Sequence, residues 1–301
     1  MLALMPNYVG RFAPSPTGPL HFGSLVAALA SWLDARAAGG RWLVRMEDLD
    51  GPRTQPGAAD SILRTLDQLG LHWDGDVLRQ STRTDHYQDA LRRLTRAGFT
   101  YPCACTRREI ADSGLARAPD GAQVYPGTCR AGLAPGRAAR ALRVRTGPEP
   151  IVFTDRIQGE LSQSVEREIG DFVLWRADGL HAYQLAVVVD DHEQGVTDVV
   201  RGADLLDSTA RQIYLQRLLG YAAPRYAHVP IALDAGGEKL SKQTGAPPII
   251  EPGGERHLQR ALDFLGLPTP PGLAEAEILS WAVSAWSLHQ VPRLTGRHHP
   301  V

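Results

Sequence analysis

The feature that most constrains the fold is an alternation of short apolar strands with helical patterns in the first hundred residues. Residues 8–12 have the composition of a strand, and a loop rich in Pro, Gly and Ser follows over 13–19. A helix is expected over about 24–38, where two glycines end it, and 42–46 form the next apolar strand. A strand, a helix and a second strand at this spacing are typical of a βαβ unit. The sequence therefore predicts an α/β protein with a largely parallel sheet.

The rest of the chain continues this pattern with one interruption. Two further helical patterns stop at Gly70 and Gly98, and residues 101–132 then break the rhythm with Cys, Pro and Gly, as an insertion would. Residues 185–189 are a continuous apolar run, which is typical of a strand buried on both faces. Helical patterns return after about 208 and again after the last lysine. The final residues, 293–301, are expected to be a disordered tail.

Composition restricts the class of protein. The 301 residues are 43% hydrophobic and 22% charged, which is typical of a globular protein, and the net charge of −1 leaves RNA contacts to local patches. Three cysteines cannot form a disulfide framework and fit a reducing compartment. The first residues lack the charged segment of a signal peptide, and no apolar run reaches membrane length. We therefore expect a cytoplasmic protein with no membrane partner, and a monomer because no heptad seam is present.

Lysine occurs at only two positions, Lys239 and Lys242, whereas the other thirty basic residues are arginines. Both lysines lie in the pentapeptide 239–243, Lys-Leu-Ser-Lys-Gln. An ammonium is a compact charge on a flexible stem, so it approaches a single phosphate oxygen more closely than the planar guanidinium does. The pair therefore predicts a mobile phosphate-binding loop. The alternative is a solvated surface turn.

The loop between the first strand and the first helix is the second candidate for phosphate binding. In a doubly wound sheet this junction lies where ligands bind, and the helix N-terminus offers unpaired N–H groups to a phosphate. Gly23 has no Cβ, so a base or ribose would be able to lie on the backbone there. His21 is able to donate a hydrogen bond to a phosphate oxygen.

Together, the His21 loop and the lysine pair resemble the two signature motifs of class I aminoacyl-tRNA synthetases, HIGH and KMSKS. The flanking segment 11–18, Arg-Phe-Ala-Pro-Ser-Pro-Thr-Gly, is similar to the glutamyl branch, and the resemblance covers nearly all of 8–245. Ser24 replaces the second His of the first motif, and Leu240 replaces the Met of the second.

This resemblance implies a Rossmann-type doubly wound parallel sheet with a small zinc-type insertion and a short helical C-terminal region. The catalytic domain would span 1–243, with the insertion at about 101–132. Residues 244–301 would be the helical region, without an anticodon-binding domain.

The resemblance also implies ATP-dependent activation of L-glutamate to glutamyl adenylate, with Mg²⁺ and release of pyrophosphate. In-line attack of a carboxylate on the α-phosphorus needs positioning and charge neutralisation more than a general base. Lys242, and with it Lys239, would neutralise the pyrophosphate. The residues expected at the ATP are His21, Gly23, Ser24, Lys239 and Lys242.

A glutamate pocket needs cations for two carboxylates and an anion for the ammonium. Arg201 follows a pair of valines and is suited to a bidentate clamp, while Glu47 ends the second strand and is suited to the ammonium. Each residue taken singly is also compatible with a surface ion pair or a half-buried tyrosine. The resemblance implies glutamate contacts from Arg11, Ala13, Ser15, Glu47, Tyr183 and Arg201.

The insertion contains the three cysteines, Cys103, Cys105 and Cys129. Thiolates at this spacing are able to share one Zn²⁺, but tetrahedral closure needs a fourth ligand, and no histidine lies between 101 and 135. From the residues alone, the fourth ligand is Tyr125, Asp112, Asp120 or water, and three reduced structural thiols are the alternative. The resemblance implies one structural Zn²⁺ bound by Cys103, Cys105, Tyr125 and Cys129.

The acceptor of the glutamate is predicted from length. About fifty-eight residues follow Gln243, where ordinary members of the glutamyl branch have a large anticodon-binding region. The chain therefore resembles the short members, which transfer glutamate to queuosine in the anticodon loop of tRNA(Asp) and need no tRNA for activation. Five arginines and no acidic residue lie between 130 and 145. This basic stretch is compatible with a patch that contacts phosphates and with an ordinary solvated face.

Three other functions remain open from the sequence. One is a minimal glutamyl-tRNA synthetase that charges a tRNA 3′ end. Another is an inactive paralogue that only binds amino acid or RNA, although intact His21, Glu47, Arg201 and Lys242 argue against it. The last is a nucleotidyltransferase with a similar His-containing loop.

Overall fold

The computed structural model describes residues 8–115, 117–119, 121–240, 248–249 and 254–298. The strands are β1 (Val9–Phe12), β2 (Arg41–Met46), β3 (Leu78–Arg79), β4 (Thr100–Cys103), β5 (Ala141–Val144), β6 (Ile151–Asp155), β7 (Gly159–Gln163), β8 (Val173–Trp175), β9 (Asp198–Gly202), β10 (Arg225–Val229), β11 (Ile231–Leu233) and β12 (Gly296–His298). The helices are α1 (Phe22–Ala37), α2 (Ala58–Gln68), α3 (Thr84–Arg96), α4 (Arg107–Ala111), α5 (Val165–Glu168), α6 (Tyr183–Glu193), α7 (Leu206–Leu219), α8 (Gly254–Phe264) and α9 (Glu275–Ala285). Among these helices, none has both the length and the apolar character needed to cross a bilayer.

The central sheet is parallel at its core. β2 pairs parallel with β1 and with β3, and β10 pairs parallel with β9 and with β6, while β7 adds an antiparallel edge strand. The two groups of strands meet where the Val9 amide donates to Thr197 Oγ1 at 2.9 Å and the Thr197 amide donates to the Val9 carbonyl at 2.9 Å. The strand order therefore reverses between β1 and β9. The predicted α/β doubly wound sheet is confirmed, and ligands bind at such a reversal, beside the carboxyl ends of the strands.

Helix α1 is the centre of the larger hydrophobic core. Leu25, Leu29 and Leu33 are fully buried, because the helix has the sheet on one side and α8 and α9 on the other. Leu262 and Ile278 belong to the same core cluster as α1, so the C-terminal helices are part of the main packing unit. This packing fixes the N-terminal end of α1 at the sheet reversal.

The apolar run 185–189 was predicted as a strand, and this prediction is wrong. It forms the middle of helix α6, and Leu185 to Val189 are all buried against α3, α7 and β8. A continuous apolar run has no period, so it fits a buried helix as well as a buried strand. Tyr183 therefore begins a helix, with the backbone of Ala182 as its N-cap.

The C-terminal tail is also more ordered than predicted. Within 293–301, β12 pairs parallel with β11, and the Arg297 guanidinium donates to the Phe264 carbonyl at 2.6 Å. The composition of a short polar segment does not reveal such pairing with a distant strand. The last three residues, 299–301, lie outside the described residues.

In the sequence, the apolar residues 172–175, the turn Ala-Asp-Gly at 177–179 and the residues from Leu180 onward together predict a β-hairpin. β8 pairs with β5 instead, and only a single antiparallel bridge links Trp175 to His181 before the chain enters α6.

Candidate active site

A cavity of about 440 Å³ opens at the carboxyl ends of β1 and β9, beside the N-terminus of α1. Its lining includes ten of the predicted site residues, which are Arg11, Ala13, Ser15, His21, Gly23, Ser24, Glu47, Tyr183, Arg201 and Lys239. Lys242 lies outside the described residues. The structure thus brings together side chains from five separate segments of the sequence in one pocket.

His21 is the N-cap residue of α1. Its Nδ1 accepts the Ser24 amide at 3.4 Å, and the Ser24 hydroxyl lies 2.8 Å from Nε2. Ser24, which stands where the family motif has a second histidine, therefore fixes the imidazole over the end of the helix. Gly23 is closely packed, since a Cβ there would lie 3.3 Å from His21 Cε1 and 3.4 Å from the Leu240 carbonyl oxygen.

The start of the lysine motif bonds to β11, and the chain after it bonds to the His21 loop. The Leu240 amide donates to the Ala232 carbonyl at 2.8 Å, and the Ile249 amide donates to the Leu20 carbonyl at 2.9 Å. Lys239 lies at the rim of the pocket, where its Nζ is 2.6 Å from Asp204 Oδ2 and both side chains are partly exposed. The His21 loop and the described part of the lysine motif, Lys239 and Leu240, therefore border the same cavity.

Under the pocket floor, two arginines share one carboxylate. Arg11 Nε is 3.2 Å from Asp191 Oδ1, and Arg45 Nη1 is 2.8 Å from the same oxygen. All three side chains are buried, with 4%, 0% and 6% of the Arg11, Arg45 and Asp191 side chains exposed. The cluster holds Arg11 at the end of β1.

Glu47 is the anionic group of the pocket. Arg45 Nη2 lies 3.3 Å from Glu47 Oε1. Burial raises the pKa of Glu47, and the charges of Arg45 and Arg11 oppose that rise. A substrate ammonium next to this carboxylate would add a further charge that favours its ionised form.

Tyr183 lies at the first turn of α6, on the pocket wall. Burial, and next the charge of Glu47, raise the pKa of Tyr183 to about 12. The phenol therefore keeps its proton at neutral pH and is able to donate a hydrogen bond.

Arg201 differs from Arg11 in its partners. Its Nε donates to His228 Nε2 at 3.0 Å, and its Nη2 donates to Thr209 Oγ1 at 2.9 Å and to the Leu205 carbonyl at 3.2 Å. Nη1 has no hydrogen-bond partner within the described part of the chain, although it is buried. All described hydrogen-bond acceptors of the guanidinium are neutral, so none of them balances its positive charge, and both N–H bonds of Nη1 are without an acceptor among the described residues.

The three cysteines form a separate cluster with Tyr125 in the insertion. The three Sγ atoms lie within 4.8 Å of one another, and Cys105 Sγ is 3.6 Å from Cys129 Sγ. Tyr125 Oη lies 3.4 Å from Cys103 Sγ and 3.7 Å from Cys105 Sγ. Tetrahedral zinc with Zn–S bonds of about 2.3 Å would place its sulfurs about 3.8 Å apart. The donor set therefore fits one Zn²⁺.

The surroundings of the cluster suit thiolates. Burial favours the neutral thiol of Cys129, but hydrogen bonds from the Ala104 amide and the Tyr125 hydroxyl outweigh it and lower the pKa to about 7. Arg143 Nε donates to Cys103 Sγ at 3.2 Å, and its guanidinium lies over the Tyr125 ring. Burial raises the pKa of Tyr125 without metal, whereas a bound dication would favour the phenolate. Asp120, an alternative fourth ligand, lies outside the described residues.

The basic stretch 130–145 is mostly not a free surface patch. Arg137 pairs with Glu109, Arg143 is buried, and Arg130 and Arg145 bond to neighbouring carboxylates or carbonyls. Arg140 remains exposed. A run of arginines in sequence does not reveal which side chains serve internal contacts.

Sequence reasoning assigned no role to Arg45, Asp191, His228 or Asp155. Arg45 and Asp191 were recognisable from the sequence. A charged residue within the apolar strand 42–46 and an acidic pair directly after the apolar run 185–189 are both improbable unless they have charged or polar partners. His228 and Asp155 were not recognisable, since their contact joins β10 to β6 and is not local in sequence.

Comparisons with known proteins identify the family to which this fold belongs. The family model for the catalytic domain of class I tRNA synthetases (E and Q) matches residues 8–248. In three dimensions the chain superposes on a glutamate tRNA ligase from Elizabethkingia meningosepticum, solved in complex with its amino acid, with a TM-score of 0.81 and 25% identity. The match covers 98% of this chain and 67% of that one. The fold and the site thus define a ligase of the aminoacyl-tRNA synthetase type.

Curated relatives narrow the assignment. A glutamyl-Q tRNA(Asp) synthetase from Aromatoleum aromaticum is 60% identical over 96% of this chain and 91% of its own length. One from Dechloromonas aromatica is 59% identical over 95% of this chain and 96% of its own. The chain therefore belongs to the glutamyl-Q tRNA(Asp) synthetase family within the class I synthetases.

Proposed function

We propose that this protein activates L-glutamate with ATP and transfers it to the queuosine base in the anticodon of tRNA(Asp). The observation that carries the proposal is the pocket itself, which Glu47, Tyr183 and Arg201 line together with His21. The names of relatives about 60% identical over nearly the whole chain support the same substrate and acceptor.

The proposed activation step uses the charges of the pocket. Arg201 and Arg11 hold the substrate carboxylates, and Glu47 receives the ammonium. A carboxylate oxygen of glutamate then attacks the α-phosphorus of ATP, and the bond to pyrophosphate breaks. Bound with ATP, Mg²⁺ supplies charge neutralisation on the phosphates. His21, Lys239 and Lys242 donate to the phosphates and stabilise the leaving group.

Activation is proposed to proceed without tRNA. The support is that Arg11, Glu47 and Arg201 are already held by contacts within the chain. Side chains that need no RNA to reach their positions favour a pocket that is preorganised for glutamate and ATP.

In the proposed transfer step, a ring hydroxyl of queuosine attacks the carbonyl carbon of the adenylate and AMP leaves. A groove of about 920 Å³ between the cysteine insertion and β5 and β8 supports RNA binding. Its lining includes Arg53, Arg107, Arg140 and Arg176. Arg53 pairs there with Asp50, and Arg176 pairs with Asp178, so Arg107 and Arg140 are the guanidinium groups that best suit phosphates of a stem-loop. A tRNA substrate also supports the expected cytoplasmic location.

The proposed organisation follows the sequence prediction. Residues 1–243 form the catalytic domain and 244–301 a short helical region. The cysteine insertion holds one structural Zn²⁺ through Cys103, Cys105, Tyr125 and Cys129, which would fix the wall of the groove. The protein is proposed to act as a monomer.

Transfer of radiolabelled glutamate to purified tRNA(Asp) tests the proposal. We expect label on queuosine-containing tRNA(Asp), including a form that lacks the 3′-terminal adenosine, and no label on tRNA(Asp) without queuosine. Labelling that requires the 3′ adenosine and ignores queuosine would instead establish a minimal glutamyl-tRNA synthetase. Glutamate-dependent ATP–pyrophosphate exchange without RNA tests the activation step separately.

A further inference from the structure

Arg201 is held by a buried chain of side chains that reaches away from the pocket. Behind the Arg201–His228 contact, His228 Nδ1 lies 2.6 Å from Asp155 Oδ2, and both of these side chains are fully buried. Neither His228 nor Asp155 lines the cavity. They therefore influence a ligand only through Arg201.

The contact with Asp155 determines which nitrogen of His228 carries the proton. An ionised carboxylate only accepts hydrogen bonds, so Nδ1 carries the hydrogen and Nε2 presents a lone pair. That lone pair is the acceptor for Arg201 Nε at 3.0 Å. The other tautomer would direct an N–H against the N–H of Arg201.

Asp155 itself is fixed by the backbone. Its Oδ1 accepts the amides of Ile157 at 3.0 Å, Gln158 at 2.8 Å and His228 at 3.2 Å. Burial alone would raise the pKa of Asp155, but the hydrogen bond from His228 and these amides outweigh it, so the pKa lies below its usual value. Burial lowers the pKa of His228 to about 4 despite Asp155. The imidazole is therefore neutral at neutral pH.

This arrangement separates the negative charge from Arg201. Arg11 contacts the carboxylate of Asp191 directly, whereas the described hydrogen-bond acceptors of Arg201 are an imidazole, a hydroxyl and a carbonyl. The neutral histidine orients the guanidinium without neutralising it. A buried cation whose charge is not balanced by its own contacts favours an anionic ligand over a neutral one, because a charge-assisted hydrogen bond is stronger than a neutral one.

We infer that Asp155 and His228 are positioning residues that hold Arg201 with its charge uncompensated, and that this charge selects the carboxylate side chain of glutamate over the amide of glutamine. The inference rests on the proposed function and extends it to the specificity of the same pocket. Glutamine has the same shape as glutamate but leaves the Arg201 charge without a counter-ion.

The test is ATP–pyrophosphate exchange with glutamate and glutamine for three His228 and Asp155 variants. His228→Leu removes the acceptor of the Arg201 hydrogen bond and keeps most of the side-chain volume, whereas His228→Gln retains a neutral acceptor. Asp155→Asn removes the carboxylate charge that keeps the proton of His228 on Nδ1. His72→Leu is the matched control, because His72 is an exposed histidine that does not line the pocket. Thermal unfolding of each variant reports whether it is folded.

For His228→Leu and Asp155→Asn we expect KM for glutamate to rise on the order of 10–100-fold, because the charged hydrogen bond from Arg201 to the substrate carboxylate is misplaced. KM for ATP should stay unchanged. The ratio of kcat/KM for glutamate to that for glutamine should fall, and His228→Gln should recover part of both losses. A purely structural role would instead affect ATP and glutamate equally and would not be rescued by glutamine at 228.

Two outcomes would overturn the inference. If the folded variants keep the wild-type KM for glutamate and the wild-type selectivity, the inference fails although the proposed function stands. If they lose affinity for ATP as much as for glutamate, the positioning role is also wrong. Absence of glutamate-dependent exchange in the wild-type protein would refute the proposed function itself, and the inference with it.

Discussion

Replacing Asp191 by asparagine should destabilise the protein strongly, because this carboxylate contacts both Arg11 and Arg45. At least 94% of each of the three side chains is shielded from solvent. Removing one partner of a buried ion pair typically costs about 3–5 kcal/mol, since the remaining charge stays buried without compensation. Asparagine retains the shape and one acceptor oxygen, and Arg45 keeps Glu47 and Asp190 as ion-pair partners. We therefore expect a loss at the lower end, about 3 kcal/mol in the free energy of unfolding.

The assay is urea unfolding of Asp191→Asn beside the wild type at pH 7. Asp89→Asn is the control, because Asp89 also pairs with an arginine but is exposed, so its unfolding midpoint should not change. An unchanged midpoint for Asp191→Asn would refute the argument that this carboxylate compensates the two buried arginines.

The difference in stability between the wild type and Asp191→Asn should also depend on pH. Burial would raise the pKa of Asp191, but the guanidinium groups of Arg11 and Arg45 outweigh it, so the pKa in the folded protein lies below its usual value. The ionised group therefore stabilises the fold above the unfolded pKa of about 3.9, and this contribution is lost as the pH falls through the folded pKa. The difference in stability between wild type and Asp191→Asn should be full at pH 7 and should shrink below pH 4. A difference that grows on acidification would contradict the sign.

Three further predictions concern metal and nucleotide. The purified protein should contain about one zinc per chain by elemental analysis, and Cys129→Ser should lose it; a metal-free wild type purified without chelator would refute the zinc site. Gly23→Ala should raise KM for ATP about tenfold in pyrophosphate exchange, because the added Cβ crowds His21 and the Leu240 carbonyl, and an unchanged KM would refute this close approach. Lys242→Ala should lower kcat for exchange by about 10²–10³ with little change in KM for glutamate, as loss of one donor to a developing charge does, and unchanged turnover would remove Lys242 from the site.

Local sequence patterns predict much of the fold and of the pocket. The helix over 24–38 and the strand over 42–46 were recognised from periodicity and glycine stops, and the structure has α1 and β2 there. His21 and Gly23 were identified because a strand-to-helix junction in a parallel sheet is where ligands bind. Such inferences succeed because the determining contacts lie within one βαβ unit.

The failures have a common physical cause, which is dependence on distant partners. The run 185–189 has no period, so only its packing against α3 and α7 decides that it is a helix. β12 forms because residues 231–233 offer an edge that composition cannot reveal. The interaction of Asp155 with His228 joins two strands that are far apart in the chain.

The proposed function depends on whether glutamate is transferred to queuosine or to the 3′-terminal adenosine of tRNA(Asp). The most direct measurement is mass spectrometry of the nucleosides released from tRNA(Asp) after incubation with the protein, ATP and L-glutamate. We expect a nucleoside that is heavier than queuosine by one glutamyl group and that forms only when ATP and L-glutamate are both present. Unmodified queuosine together with glutamate esterified to the 3′-terminal adenosine would contradict it.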